Sequence, residues 1–78
     1  MKMKTWYNRI RDLRTDHDLT QAQIAKVLGT RQEYYSKYEL GKRKLPIEHL
    51  KTLAQFYSVS SDYILCLTND PTPPERNV

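Results

Sequence analysis

Cysteine, glycine and phenylalanine are scarce in this chain: Cys66 is the only thiol, Gly29 and Gly41 are the only glycines, and one phenylalanine stands among 78 residues. A single thiol cannot close an intrachain disulfide, which excludes the cross-linked scaffolds of small secreted proteins. Two isolated glycines exclude a glycine-rich phosphate loop. No apolar run approaches the roughly 18 residues of a membrane span. The charged start Met1-Lys2-Met3-Lys4 has no apolar stretch of signal-peptide length behind it, so the expected location is the cytoplasm. Cys66, His17 and His49 lie on distant segments without any zinc spacing, and Cys66, in an apolar run, reads as a small buried hydrophobe. No metal and no cofactor are expected. The length suits one small domain, and without paired catalytic groups the chain is not expected to be an enzyme.

What the chain does have is unevenly placed positive charge. Thirteen Lys and Arg stand against nine Asp and Glu, a net +4. Residues 1–44 hold 11 basic and 5 acidic side chains, while residues 45–78 hold 2 and 4. A basic half of this kind is the footprint of a polyanion binder, with a merely solvated cationic face as the alternative.

The apolar spacing predicts an all-α chain of five short helices and no strand. Trp6, Ile10 and Leu13 fall at i, i+4, i+7, one stripe of a helix over about 5–16, with Arg9, Arg11 and Asp12 on its other faces. Thr20-Gln21-Ala22-Gln23 fits a capping box, Leu19 and Ile24 are placed as a hydrophobic staple, and Gly29 suits the left-handed residue that ends a helix. Ile24, Ala25 and Leu28 form the buried side of that second helix. A third runs from Gln32 to Leu40 and is closed by Gly41; Thr30 with Glu33 offers it a second capping box. Two short helices joined by a glycine-containing turn of about three residues make a helix-turn-helix unit. At about 100° per residue, Tyr35, Tyr38 and Glu39 share one side of the third helix, and Glu33, Ser36, Lys37 and Leu40 share the other. Gln32 stands at its entrance and Tyr34 at the boundary.

After the basic loop Lys42-Arg43-Lys44, Pro46 sits where a first helical turn tolerates it. Leu50, Leu53, Ala54 and Tyr57 then repeat as a fourth helix over about 46–57. Ser60 caps a fifth that carries Asp62, Tyr63, Ile64 and Leu67. From Asn69 the chain is rich in proline, so a domain over 1–68 is expected to end in a short flexible tail over 69–78.

These residues resemble the lambda-repressor-like, Cro/XRE-type family of helix-turn-helix DNA-binding domains. The likeness is carried by Leu19-Thr20-Gln21, Ile24-Ala25, Leu28-Gly29, the run Tyr35-Ser36-Lys37-Tyr38-Glu39-Leu40-Gly41-Lys42-Arg43, Pro46, Leu53-Ala54, and Val59-Ser60 with Asp62-Tyr63-Ile64-Leu65. It covers about residues 6–68. The resemblance implies a compact five-helix fold, Gln32–Leu40 as recognition helix, and a homodimer on a two-fold symmetric double-stranded operator. It further implies base contacts from Gln32, Glu33 and Lys37, phosphate contacts from Gln21, Lys42 and Arg43, and a buried ion pair between Arg14 and Glu39. The chain departs from the family pattern at Arg31, where a Ser or Thr cap is common, at Tyr34, and at Ser58, where Gly or Asn is usual.

Side-chain chemistry adds detail to each expectation. Arg31 and Lys44 join Lys42 and Arg43 in flanking the recognition helix with phosphate-gripping cations. Gln21 either donates its amide to a phosphate or stands in solvent. Gln32 can bond adenine N6 and N7, and Lys37 can donate to guanine O6 and N7. Glu33 either accepts from cytosine N4 or serves the helix, as a cap or as an i, i+4 partner of Lys37. Ser36 is small enough to let the helix approach the groove. Tyr34 lies against the sugar–phosphate backbone or a thymine methyl, or packs on a neighbouring helix. Ile64, Leu65 and Leu67 exceed what one helix face buries and are the expected dimer contact. The expected function is a bacterial or phage transcriptional regulator, a repressor, reading half-sites about 34–36 Å apart. An antitoxin with a toxin partner, and a protein-interaction module without operator binding, are the alternatives.

Overall fold

Three hydroxyl side chains start three of the five helices. The computed structural model describes residues 4–73, and it contains α1 (Trp6–Asp16), α2 (Gln21–Leu28), α3 (Gln32–Glu39), α4 (Ile47–Tyr57) and α5 (Ser61–Ile64). Thr5 accepts from the Asn8 amide, Thr20 from Gln23 and Ser60 from Tyr63, each satisfying a donor the helix cannot. At Thr20 the capping box is complete: the Gln23 amide N–H donates to Oγ1 at 3.1 Å, and the Thr20 N–H donates to Gln23 Oε1 at 2.8 Å. Helix α2, only 8 residues long, is too short to persist alone and depends on its packing.

Helix α2 packs on α3 and α4, while α1 packs on α3 and α5. Ile10, Ile24, Tyr35, Leu53 and Ile64, one from each helix, are fully enclosed at the centre. Each such side chain contributes about 1.5–3 kcal/mol through loss of apolar surface to water. Leu13, Ala25, Leu28, Tyr38, Tyr57 and Val59 complete the core. Tyr35 and Tyr38 therefore face inward, as the spacing requires, and their rings meet edge to face at 6.3 Å.

Several expectations need correction. Helix α3 has Arg31, not Thr30, at its N-cap, and no side chain caps it. The Thr30 N–H is engaged in closing α2, where it donates to the Ala25 carbonyl at 3.0 Å. Pro46 precedes α4 as its N-cap, and α5 stops at Ile64. Beyond it Cys66 turns the chain in the left-handed region (φ 63°). Arg9 does not lie on a solvent face: only 7% of it is exposed, and its guanidinium covers the Tyr63 ring of α5 at 3.9 Å. Burial opposes its charge, yet the neighbouring Tyr63 and Cys66 side chains raise its pKa above the usual arginine value. Ile64 has no exposed surface, so it belongs to the core and cannot meet a second copy.

Residues 69–73 carry no helix, and the Pro71 carbonyl accepts from the Ser60 N–H at 3.0 Å. Residues 74–78 of the expected tail lie outside the described residues. Pro73 flanks an open apolar groove of about 650 Å³ along α4, floored by Leu50, Ala54 and Val59.

Candidate nucleic-acid interface

The outward side of α3 is bare. Gln32, Glu33 and Lys37 are exposed and Ser36 is half-buried between them, because the buried stripe of the same helix is taken by Tyr35, Tyr38 and Glu39. Arg31 precedes the helix, and Lys42, Arg43 and Lys44 follow it, all exposed. The structure therefore leaves exposed the expected base-edge residues Gln32, Glu33 and Lys37 and the expected phosphate residues Arg31, Lys42, Arg43 and Lys44 at either end of the same helix. With Thr30 occupied elsewhere, Glu33 has no capping role. Its ionic neighbour is Arg31, 4.0 Å away and well exposed, rather than Lys37; such a pair contributes little.

The turn that aims α3 is fixed by Gly29, whose φ of 68° is left-handed. Behind α3, Glu39 accepts four hydrogen bonds and so fills its acceptor capacity. Arg14 Nε and Nη2 reach Oε2 and Oε1 at 2.6 and 3.0 Å, Gln21 Nε2 reaches Oε1 at 3.1 Å, and the Tyr35 hydroxyl donates to Oε2. Arg14 also donates to the Leu19 carbonyl at 2.9 Å, so one guanidinium ties α1, the α1–α2 link and α3 together. Burial alone would raise the Glu39 pKa, but donors from Arg14, Tyr35 and Gln21 outweigh it and hold the carboxyl below its ordinary value. Hydrogen bonding to Glu39 raises Arg14 in turn, and burial pushes the Tyr35 phenol well up. The site is a charged pair at neutral pH.

Gln21 is half-buried rather than free in solvent. One of its amide hydrogens is committed to Glu39, which leaves the first N–H groups of α2, unused by any helix bond, as the better anion donors at that end. Tyr34 is exposed to 39% and its ring lies under the Arg43 guanidinium, 5.0 Å from the centroid. Sequence spacing missed this pairing because residues nine apart are not helix neighbours. Leu65 and Leu67 remain exposed, the latter to 73%, together with Ile47 and Phe56. No helix among the described residues is long and apolar enough to cross a membrane.

Comparison with known proteins agrees with this geometry. A family model described as helix-turn-helix matches residues 10–64. The chain is 46% identical over 65 residues to the uncharacterized HTH-type transcriptional regulator YobD of Bacillus subtilis, covering 83% of this chain and 58% of that protein. It is 38% identical over 52 residues to the cryptic phage CTXphi transcriptional repressor RstR of Vibrio cholerae, covering 67% and 47%. It thus spans about half the length of these relatives. Its fold is similar to that of the P22 c2 repressor solved with a synthetic operator, with a TM-score of 0.74, 27% identity, and coverage of 80% of this chain and 94% of that one.

Proposed function

The chain belongs to the lambda-repressor-like, Cro/C1-type helix-turn-helix family, and from that premise we propose that it is a sequence-specific, double-stranded-DNA-binding transcriptional repressor of the cytoplasm. The observation that supports this most is the exposed face of α3, where Gln32, Glu33 and Lys37 stand clear while the tyrosines of the same helix are locked inside. In this reading α3 enters the major groove. Gln32 offers a donor and an acceptor to adenine, Lys37 donates to guanine, and Glu33, released from any cap, accepts from cytosine N4. Arg31, Lys42, Arg43 and Lys44 grip phosphates on either side, and the N-terminus of α2 adds its free N–H groups on the neighbouring strand.

Two copies bound one helical turn apart would present two α3 helices to a symmetric site. The contact between copies falls to apolar surface still exposed in the monomer, Leu65 and Leu67, now that Ile64 is excluded. Selection of duplexes from a randomised pool tests the whole reading. A recovered palindromic consensus with half-sites about ten base pairs apart supports it. Recovery of unrelated sequences, bound through charge alone, would overturn the specific part.

A further inference from the structure

The basic loop after α3 holds three cations, and one of them has a defined place. Lys42 and Lys44 are exposed without an ionic partner among the described residues. The Arg43 guanidinium instead sits over the ring of Tyr34, 5.0 Å from the centroid. The tyrosine sits in the first turn of α3 and is exposed to 39%, so the stack lies at the surface beside Gln32 and Glu33 rather than in the core.

Building on the DNA-binding reading above, we propose that Tyr34 is a positioning residue: its ring holds Arg43 against the flank of α3, so that the arginine is already placed for a phosphate of the groove wall when DNA arrives. The chemistry allows both contacts at once. Stacking uses the face of the guanidinium, while its five N–H donors point outward in the plane of the group and stay free for phosphate oxygens. A lysine at 43 would keep the charge but not the planar fork. A free arginine would lose rotamer freedom on binding, and a stacked one has lost much of it beforehand. The hydroxyl is not needed for this role, which distinguishes it from a direct tyrosine–phosphate contact.

The test is a double-mutant cycle on Tyr34→Leu and Arg43→Ala, with Tyr34→Phe as the conservative control. Binding is read on a mixed-sequence 30-base-pair duplex, and each variant's thermal midpoint is recorded. Tyr34→Leu is expected to weaken binding about three- to tenfold while leaving the midpoint near that of the parent protein, since the ring is not in the core. Tyr34→Phe should bind within about twofold of the parent. In the Arg43→Ala background, Tyr34→Leu should have no further effect. Independently of DNA, the Arg43 side-chain protons of the free protein should show an upfield ring-current shift that disappears in Tyr34→Leu. Additive losses in the cycle, failure of Tyr34→Phe to preserve affinity, or absence of the ring-current shift would each overturn the inference and leave the DNA-binding reading intact. No binding of the duplex by the parent protein would remove that reading and the inference with it.

Discussion

Arg14 grips Glu39 through two nitrogens, at 2.6 and 3.0 Å, across 25 residues of sequence. Glu39 stands on the back of α3, so the pair fixes the rotation of that helix about its own axis. Its rotation decides which side chains face outward. The same carboxylate takes the Gln21 amide and the Tyr35 hydroxyl, so one buried charge sets the relation of α1, α2 and α3.

Removing the arginine should therefore be costly. Arg14→Ala leaves a carboxylate in a site only 7% exposed, and the expected loss is about 2–4 kcal/mol, somewhat below a fully enclosed pair because Arg14 keeps some solvent contact. The pH dependence follows from the depressed Glu39 pKa. Its stabilising contribution is fully present above the unfolded glutamate value of about 4.3 and is lost as pH falls through the lower folded value. Urea unfolding from pH 7 down to pH 3 should show this decline in the parent protein. In Glu39→Gln the decline should be shallower, starting from a lower plateau; an unchanged slope would deny the carboxylate this role.

Tyr57 presents the opposite case. Its hydroxyl is buried with no hydrogen-bond partner among the described residues, and its ring lies tilted against that of His17, 5.0 Å between centroids. An unsatisfied hydroxyl costs about 1–3 kcal/mol, so Tyr57→Phe is expected to match or exceed the parent in stability at pH 7. Burial, with the charge of Glu39 adding to it, pushes the Tyr57 pKa up to about 12. A raised folded pKa means stability that is intact below about pH 10 and lost as pH climbs through the folded value. The advantage of Tyr57→Phe in thermal melts should accordingly widen between those limits.

Three of the left-handed residues, Gly29, Gly41 and Ser58, should respond differently to substitution. At Gly29 (φ 68°) an added methyl meets nothing within 4 Å, whereas at Gly41 (φ 71°) it comes within 2.9 Å of the Tyr7 ring. Gly29→Ala should cost about 1–2 kcal/mol, the left-handed penalty alone; Gly41→Ala should cost more, unless the Tyr7 ring swings aside. Ser58 ends α4 at φ 55° with a side chain present. Ser58→Gly relieves that penalty but adds about 0.5–1 kcal/mol of unfolded-state entropy, for a net gain of about 0.5 kcal/mol. Chemical denaturation ranks the three.

What could be read from the sequence was local. The Thr20–Gln23 box, Gly29 and the inward tyrosines of α3 depend on residues three or four apart, and helical geometry fixes those relations wherever the helix packs. Arg9 could not be placed this way. Its burial depends on the Tyr63 ring 54 residues later in the chain, and charge alone argues for the surface. Thr30 failed for a related reason: its sequence suits the start of α3, but its N–H had already been taken by the end of α2. Ile64 and Leu67 look alike as apolar residues; only the end of α5 and the turn at Cys66 put one inside and the other out.

Under the proposed DNA-binding role, specificity and affinity fall to different residues in and around α3, and two substitutions should divide them. Gln32 presents a donor and an acceptor at the entrance of the helix, so Gln32→Ala should relax preference at a single base pair, reducing discrimination there by about 1–3 kcal/mol. Binding to duplexes that already carry a different base at that position should change little. Lys42 follows the end of α3 and is exposed; assigned to a phosphate, Lys42→Ala should weaken all duplexes by a similar factor and lower the slope of log K against log salt by about one. Competition binding on a set of single-base operator variants, repeated at two salt concentrations, gives both readouts. A uniform loss from Gln32→Ala would move that residue to the phosphate class, and would shift the centre of base reading along α3 toward Ser36 and Lys37.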